Sequence, residues 1–163
     1  MVYLRKIKEY FLHKEYQKIK QARIFRVLFL LALIVSIAWF FNGMPEKKMI
    51  RAGDCEFEVE LALSPTQHYR GLSNRDDLKN DEGMLFIFDK EQDKSFVMRD
   101  MNFPLDIIFI RDFRVVNLYQ NLSPEGPQPT KSYHSGSPVD AVLEIKGGLS
   151  RVCKIGINTE VNW

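Results

Sequence analysis

The sequence predicts an N-terminal transmembrane helix followed by one compact α+β domain, a mostly antiparallel sheet or partial barrel carrying two short helices. Three observations predict it. An apolar run fills 24–41, broken only by Arg26 and Ser36. Cys55, Phe57, Val59 and Leu61 alternate with Glu56, Glu58 and Glu60, the period of a half-buried strand. Beyond them, short apolar runs recur between charged turns such as Asp89-Lys90-Glu91, which favours several short strands over long helices.

The first element is a basic arm over residues 1–23. Through Arg26 the chain holds eight Lys and Arg against Glu9 and Glu15, whereas 42–163 holds fifteen bases against nineteen acids, a balance of minus four. A clustered positive field is what nucleic acid demands, so nucleic acid is not an expected partner of the later region. Leu4, Ile7 and Phe11 recur at helical spacing among lysines, a pattern suited equally to an anionic lipid surface or to a solvated tail.

The second element is the span at 24–41. Its eighteen residues, at roughly 1.5 Å each, reach about 27 Å, close to the hydrocarbon thickness of a bilayer. Trp39 suits the far interface, and Arg26 can carry its charge back to the headgroups. Lys14, Lys18, Lys20, Arg23 and Arg26 flank the near end and resist translocation, so the N-terminus is expected in the cytoplasm and 42–163 outside. A cleaved leader is the rival reading. The run ends in Trp39-Phe40-Phe41 without a small-x-small site, so an uncleaved, single-pass anchor in the cell membrane is expected.

A linker follows over 42–54, charged and carrying Pro45, and the outer domain is expected over 55–163. Its first strand starts at Cys55. Ser64-Pro65-Thr66-Gln67 reads as a capping box opening a short helix that runs to about Gly71. Strands are expected at Met84 to Phe88, Ser95 to Met98, Ile107 to Ile110, Val115 to Tyr119 and Ala141 to Ile145. Residues 121–138, with four prolines, read as an ordered loop or flap. A second short helix is expected from Gly148 to Lys154, with Leu149, Val152 and Cys153 on its inner face and Gly156 as its stop.

Asp106 is the most informative polar position, because it sits between Pro104-Leu105 and the run Ile107 to Ile110. A carboxylate there is near the core and needs an Arg or backbone donors. Arg70 and Arg75 are the candidate arginines, since a guanidinium fork grips a carboxylate with two parallel hydrogen bonds. Two readings stay open: a salt bridge tying helix to sheet, or an arginine left free for an anionic ligand such as a phosphate or sugar acid. Tyr133, in the proline-rich loop, is a candidate lid contact.

Glu60 and Glu144 lie within strands and could share acid–base work, though solvated strand-face acids are commoner. Cys55 and Cys153 either form a disulfide outside the cytoplasm or remain two buried thiols. The histidines and cysteines show no metal-ligand spacing, and no phosphate loop, nucleophile elbow or dinucleotide fingerprint is present. No cofactor or metal is therefore expected. Asn121-Leu122-Ser123 fits a glycosylation sequon too short to carry weight.

A set of ordered pieces carries a resemblance: Arg70-Gly71-Leu72-x-x-Arg75, Gly83 to Phe88, and Pro104 to Ile110. Glu60-Leu61-Ala62, Ser95 to Met98, and Leu143-Glu144-Ile145 before Gly147-Gly148 extend it. From about Cys55 to Val161 the chain resembles the domain-of-unknown-function family numbered 192, small bacterial and archaeal domains that are often exported or membrane-attached. The resemblance implies a compact, strand-rich α+β fold and no established reaction. This chain departs at Val97, where the family usually has Trp, and lacks the cysteines some members carry in the loop at 124–133.

The leading functional expectation is a noncatalytic binding module of the cell envelope that recognises an anionic or sugar ligand. A protein-interaction or assembly factor, docking through 124–138 on another envelope protein, is second. A hydrolase or transferase using Asp106, Glu60 or Glu144 is third, because no nucleophile or metal set accompanies those acids.

Overall fold

A computed structural model describes residues 15, 17, 18, 20–36 and 45–163. The chain divides into two compact units, Met1–Met44 and Pro45–Trp163. In the first, a helix α1 covers 20–36, and its side chains are exposed. Among the described residues no helix is long and apolar enough to cross a membrane. The expected span at 24–41 continues into 37–41, which lie outside the described residues, as does the stripe of Leu4, Ile7 and Phe11.

The second unit is built on one seven-stranded sheet. Its strands are β1 (Lys47–Ala52), β2 (Cys55–Ala62), β3 (Glu82–Gln92), β5 (Leu105–Arg111), β6 (Arg114–Leu122), β8 (Val139–Lys146) and β9 (Val161–Asn162). The spatial order is β6-β5-β8-β3-β2-β1-β9. A separate ribbon pairs β4 (Ser95–Phe96) with β7 (Tyr133–His134). All pairs are antiparallel except β2 with β3. A parallel pair needs a crossover between its strands, and here the crossover carries α2 (Pro65–Arg70). The outer edges of the sheet meet at one end, where Arg114 bridges to Glu160 and the Val115 N–H donates to the Thr159 carbonyl at 3.0 Å. The sheet is thus curled into a half-barrel.

The expected linker at 42–54 is corrected by β1. Its lysines and arginine hide an alternation in which only Ile50 and Ala52 are buried. The exposed bases lie across from the acids of β2, with Lys47 Nζ 2.6 Å from Glu58 and Arg51 in register with Glu56. Charges on the solvent face of a hairpin look like a linker when one strand is read alone.

Two apolar clusters cover the two faces of the sheet. Strand β5 shows the division: Ile108 and Ile110 join one cluster, Leu105, Ile107 and Phe109 the other. Strands buried on both faces lose the alternation of a half-buried strand. On the first face lies α3 (Leu149–Val152), joined to β2 by the Cys55–Cys153 disulfide, with Cα atoms 5.4 Å apart. The expected inner face of α3 is corrected. Val152 is 71% exposed, Ser150 is fully buried, and the helix stops at Cys153 with Lys154 at φ 53°, short of Gly156.

Candidate functional site

On the second face, α2 is held at its start by the capping box. The Gln67 N–H donates to Ser64 Oγ (3.3 Å), and the Ser64 N–H donates back to Gln67 Oε1 (2.9 Å). The helix ends at Gly71, whose φ of 50° and ψ of −135° suit glycine almost alone. Leu72, 1% exposed, then anchors the chain in the second cluster. This sharp exit leaves His68, Arg70 and Gly71 along one rim of a cleft of about 350 Å³.

The opposite wall comes from β4 and the segment after it. Phe96 meets Phe86 edge-on at 5.0 Å, and Val97 and Met101 continue the wall. Lys94 lies 3.7 Å over the Phe88 ring, and burial lowers the pKa of its ammonium. The Arg99 guanidinium sits 4.0 Å above the Tyr69 ring and donates to the Tyr69 carbonyl. The His68 Nε2–H donates to the Ala62 carbonyl at 2.9 Å, which orients its ring against Phe88 at 4.8 Å.

Glu144 of β8 lines the base of the cleft. Its register partners are Met84 of β3 and Ile107 of β5, both buried and apolar. The side chain is 5% exposed and makes no hydrogen bond among the described residues. Burial pushes its carboxyl up to about 8, against a smaller downward pull from the Arg75 guanidinium. Near neutral pH the group is therefore mostly the uncharged acid, able to donate a hydrogen bond.

The remaining ionic groups are arranged around this floor. Arg75 grips Glu60 with both arms, Nη1 to Oε1 at 2.6 Å and Nη2 to Oε2 at 2.5 Å. Glu60 is in register with Met84 and thus shares the face of Glu144. By contrast, among the described residues none of Arg70, Lys94 and Arg99 forms an ion pair.

Arg70, Arg75 and Asp106 are not one constellation. Asp106 is fully buried on the first face of the sheet. Its Oδ1 accepts from the Asn121 and Gly148 N–H groups (2.6 and 2.8 Å), and its Oδ2 accepts from the Ser150 N–H at 2.7 Å. Three backbone donors satisfy the carboxylate, the alternative to Arg70 or Arg75 that the sequence left open, and they tie β6 and α3 to β5. Tyr133 is in β7, opposite Phe96, with its ring 5.2 Å from Tyr119; it does not line the cleft. The loop at 121–138 is pinned by β7 to the ribbon.

Lys94 and Arg99, which sequence reasoning missed, flank the Ser95 to Met98 motif. Their signal was position next to that motif, since neither side chain belongs to a periodic pattern. Glu91, Asp112 and Asp140 place one carboxylate oxygen each within 4.8 Å of the others, the one group among the described residues that could share a cation. Glu91 is near the end of β3, Asp112 in the turn between β5 and β6, and Asp140 near the start of β8, so no spacing in the sequence connects them.

The family DUF192, described as Uncharacterized ACR, matches residues 48–163. A solved structure from Sinorhizobium meliloti, described as a candidate transcription regulator, is 27% identical with a TM-score of 0.68, covering 72% of this chain and 93% of that one. A protein of unknown function from Novosphingobium aromaticivorans is 32% identical with a TM-score of 0.67, covering 72% and 85% respectively. No curated protein matches the chain.

Proposed function

The chain belongs to the DUF192 family, and from that premise we propose that its folded domain is a noncatalytic ligand-binding module whose ligand is an organic anion. One observation carries the reading: Arg70, Lys94 and Arg99 line a cleft walled in part by Phe86, Phe88 and Phe96, and the single carboxyl lining that cleft is held largely uncharged. Three cations without a carboxylate partner create a field that an anion relieves, and the aromatic walls provide apolar contact for its body. Glu60 is engaged by Arg75, Asp106 by backbone donors, and neither stands in the cleft, which favours binding over acid–base catalysis.

The module is also proposed to be tethered to the cell membrane through 24–41, with the N-terminus cytoplasmic and the domain outside. The apolar run and its basic flank support the tether, and a disulfide is consistent with an oxidising compartment. The transcription-regulator description belongs to the Sinorhizobium protein. Here the acidic balance of 42–163 speaks against a phosphate backbone as ligand.

The test is thermal melting of the full chain against organic acids, sugar acids, phosphates and neutral sugars. A ligand that binds only the folded state raises the midpoint by mass action. An anion-specific rise, lost in Arg70→Ala, is expected. Equal responses of the two proteins to every anion would remove the cleft from the account.

A further inference from the structure

We infer that the cleft takes a planar carboxylic acid as its monoanion, with one carboxylate oxygen accepting a hydrogen bond from Glu144 and the other held by Arg70. This rests on the anion-binding reading and narrows it to a chemical class. The floor and the rim give the argument. Glu144 supplies a polar group without a partner among the described residues, facing a space that no side chain fills. Above it is Gly71, where a Cβ would lie 3.5 Å from Phe86 Cζ and 3.8 Å from Glu144 Oε2. A methyl there would touch both, so the absent side chain leaves Glu144 Oε2 uncovered on the Gly71 side, open to a ligand oxygen. Arg70, at the adjoining rim, offers a planar fork that matches a carboxylate, and no ion pair occupies it.

An apolar body then fits the rest of the cleft. Phe86 and Phe96 meet at right angles and present a ring face and a ring edge, with Met101 beside them. An aromatic ring or short acyl chain fills such a corner.

A carboxylate ligand needs Glu144 in its acid form, because two adjacent anions repel. The groups facing Glu144 are consistent with that form. Met84 and Ile107 flank it without charge, Arg75 is committed to Glu60, and His68, Arg70, Lys94 and Arg99 complete the cleft with no second acid. The acid form is lost as pH rises through about 8.

The experiment is titration of the full chain with benzoate, and with benzyl alcohol and phenylphosphonate as the neutral and tetrahedral counterparts, at pH 6.5 and 9.5. Wild type is expected to bind benzoate roughly thirtyfold more weakly at the higher pH, a tenfold loss for each unit above the titration point. Glu144→Gln keeps an N–H donor, so it should bind benzoate with that pH dependence gone. Glu144→Met keeps the bulk without the donor and should lose at least tenfold at pH 6.5. Equal wild-type affinity at both pH values, an unaltered pH dependence in Glu144→Gln, or benzyl alcohol binding as well as benzoate would overturn the inference. Phenylphosphonate binding that depends on Arg70, with no benzoate binding, overturns it and leaves the anion-binding reading standing. No anion distinguishing wild type from Arg70→Ala ends both.

Discussion

Replacing Glu144 with glutamine should turn a pH-dependent stability into a nearly flat one. The carboxyl ordinarily titrates at 4.5, and in the folded domain burial raises it to about 8. The unfolded chain therefore releases this proton first, so the contribution is fully present below 4.5 and is lost as pH rises through about 8. At roughly 1.4 kcal/mol per tenfold, wild type loses about 4 kcal/mol between pH 5 and pH 9 through this group alone. That is a large share of a stability of roughly 5–15 kcal/mol. The amide carries no such penalty, and like the protonated acid it is a buried polar group without a hydrogen-bond partner. The two proteins should accordingly be of similar stability at pH 5, with Glu144→Gln the more stable by about 4 kcal/mol at pH 9. Urea unfolding of both proteins at pH 5, 7 and 9 measures this, and the difference between them removes every other titrating group. Parallel curves across that range would refute the assignment of a buried, raised carboxyl.

Asp106→Ala removes the acceptor for three backbone N–H groups and should cost at least 3 kcal/mol by urea unfolding; loss below 1 kcal/mol would mean those donors find other acceptors. The Cys55→Ala, Cys153→Ala double variant opens a loop with a sequence separation of 98 residues, so chemical denaturation should show a loss of about 4.7 kcal/mol on the chain-entropy model. Val97, 38% exposed, lines the cleft wall. Val97→Trp should therefore fill part of the cleft and weaken benzoate binding at pH 6.5 by about tenfold, or about 1.4 kcal/mol, with little change in the unfolding midpoint.

The strands of the domain were legible where one face is buried and the other solvated, as at Cys55 to Leu61, and the capping box at Ser64 to Gln67 placed α2. What escaped was pairing. Lys47 to Ala52 looks like charged linker until Glu56 and Glu58 are seen across from it, and Val161-Asn162 is too short to announce a strand. The burial of Asp106 was readable from its apolar neighbours, but its partners were not. Gly148 and Ser150 lie more than forty residues away, and a backbone N–H leaves no mark in a sequence. The same distance problem separated Arg70 from Arg99 and Lys94. Glu144 drew attention as an acid within a strand, yet its environment depends on β3 and β5 closing over both sides of β8. The commoner solvated reading therefore prevailed at the level of one strand.

The pairing of β1 with β9, and the bond from Cys55 to Cys153, have a consequence for synthesis. Synthesis delivers β1 and β2 early, and their hairpin can form as soon as Glu60 has left the ribosome and, for a domain held outside, crossed the membrane. The other edge of β1 must then wait for Val161, so a nascent chain exposes an unpaired strand edge and a reduced thiol until nearly all of the domain has been made. Any chaperone or oxidase acting on this chain meets that half-finished edge, and a stalled ribosome would leave it open to pairing with a neighbouring copy.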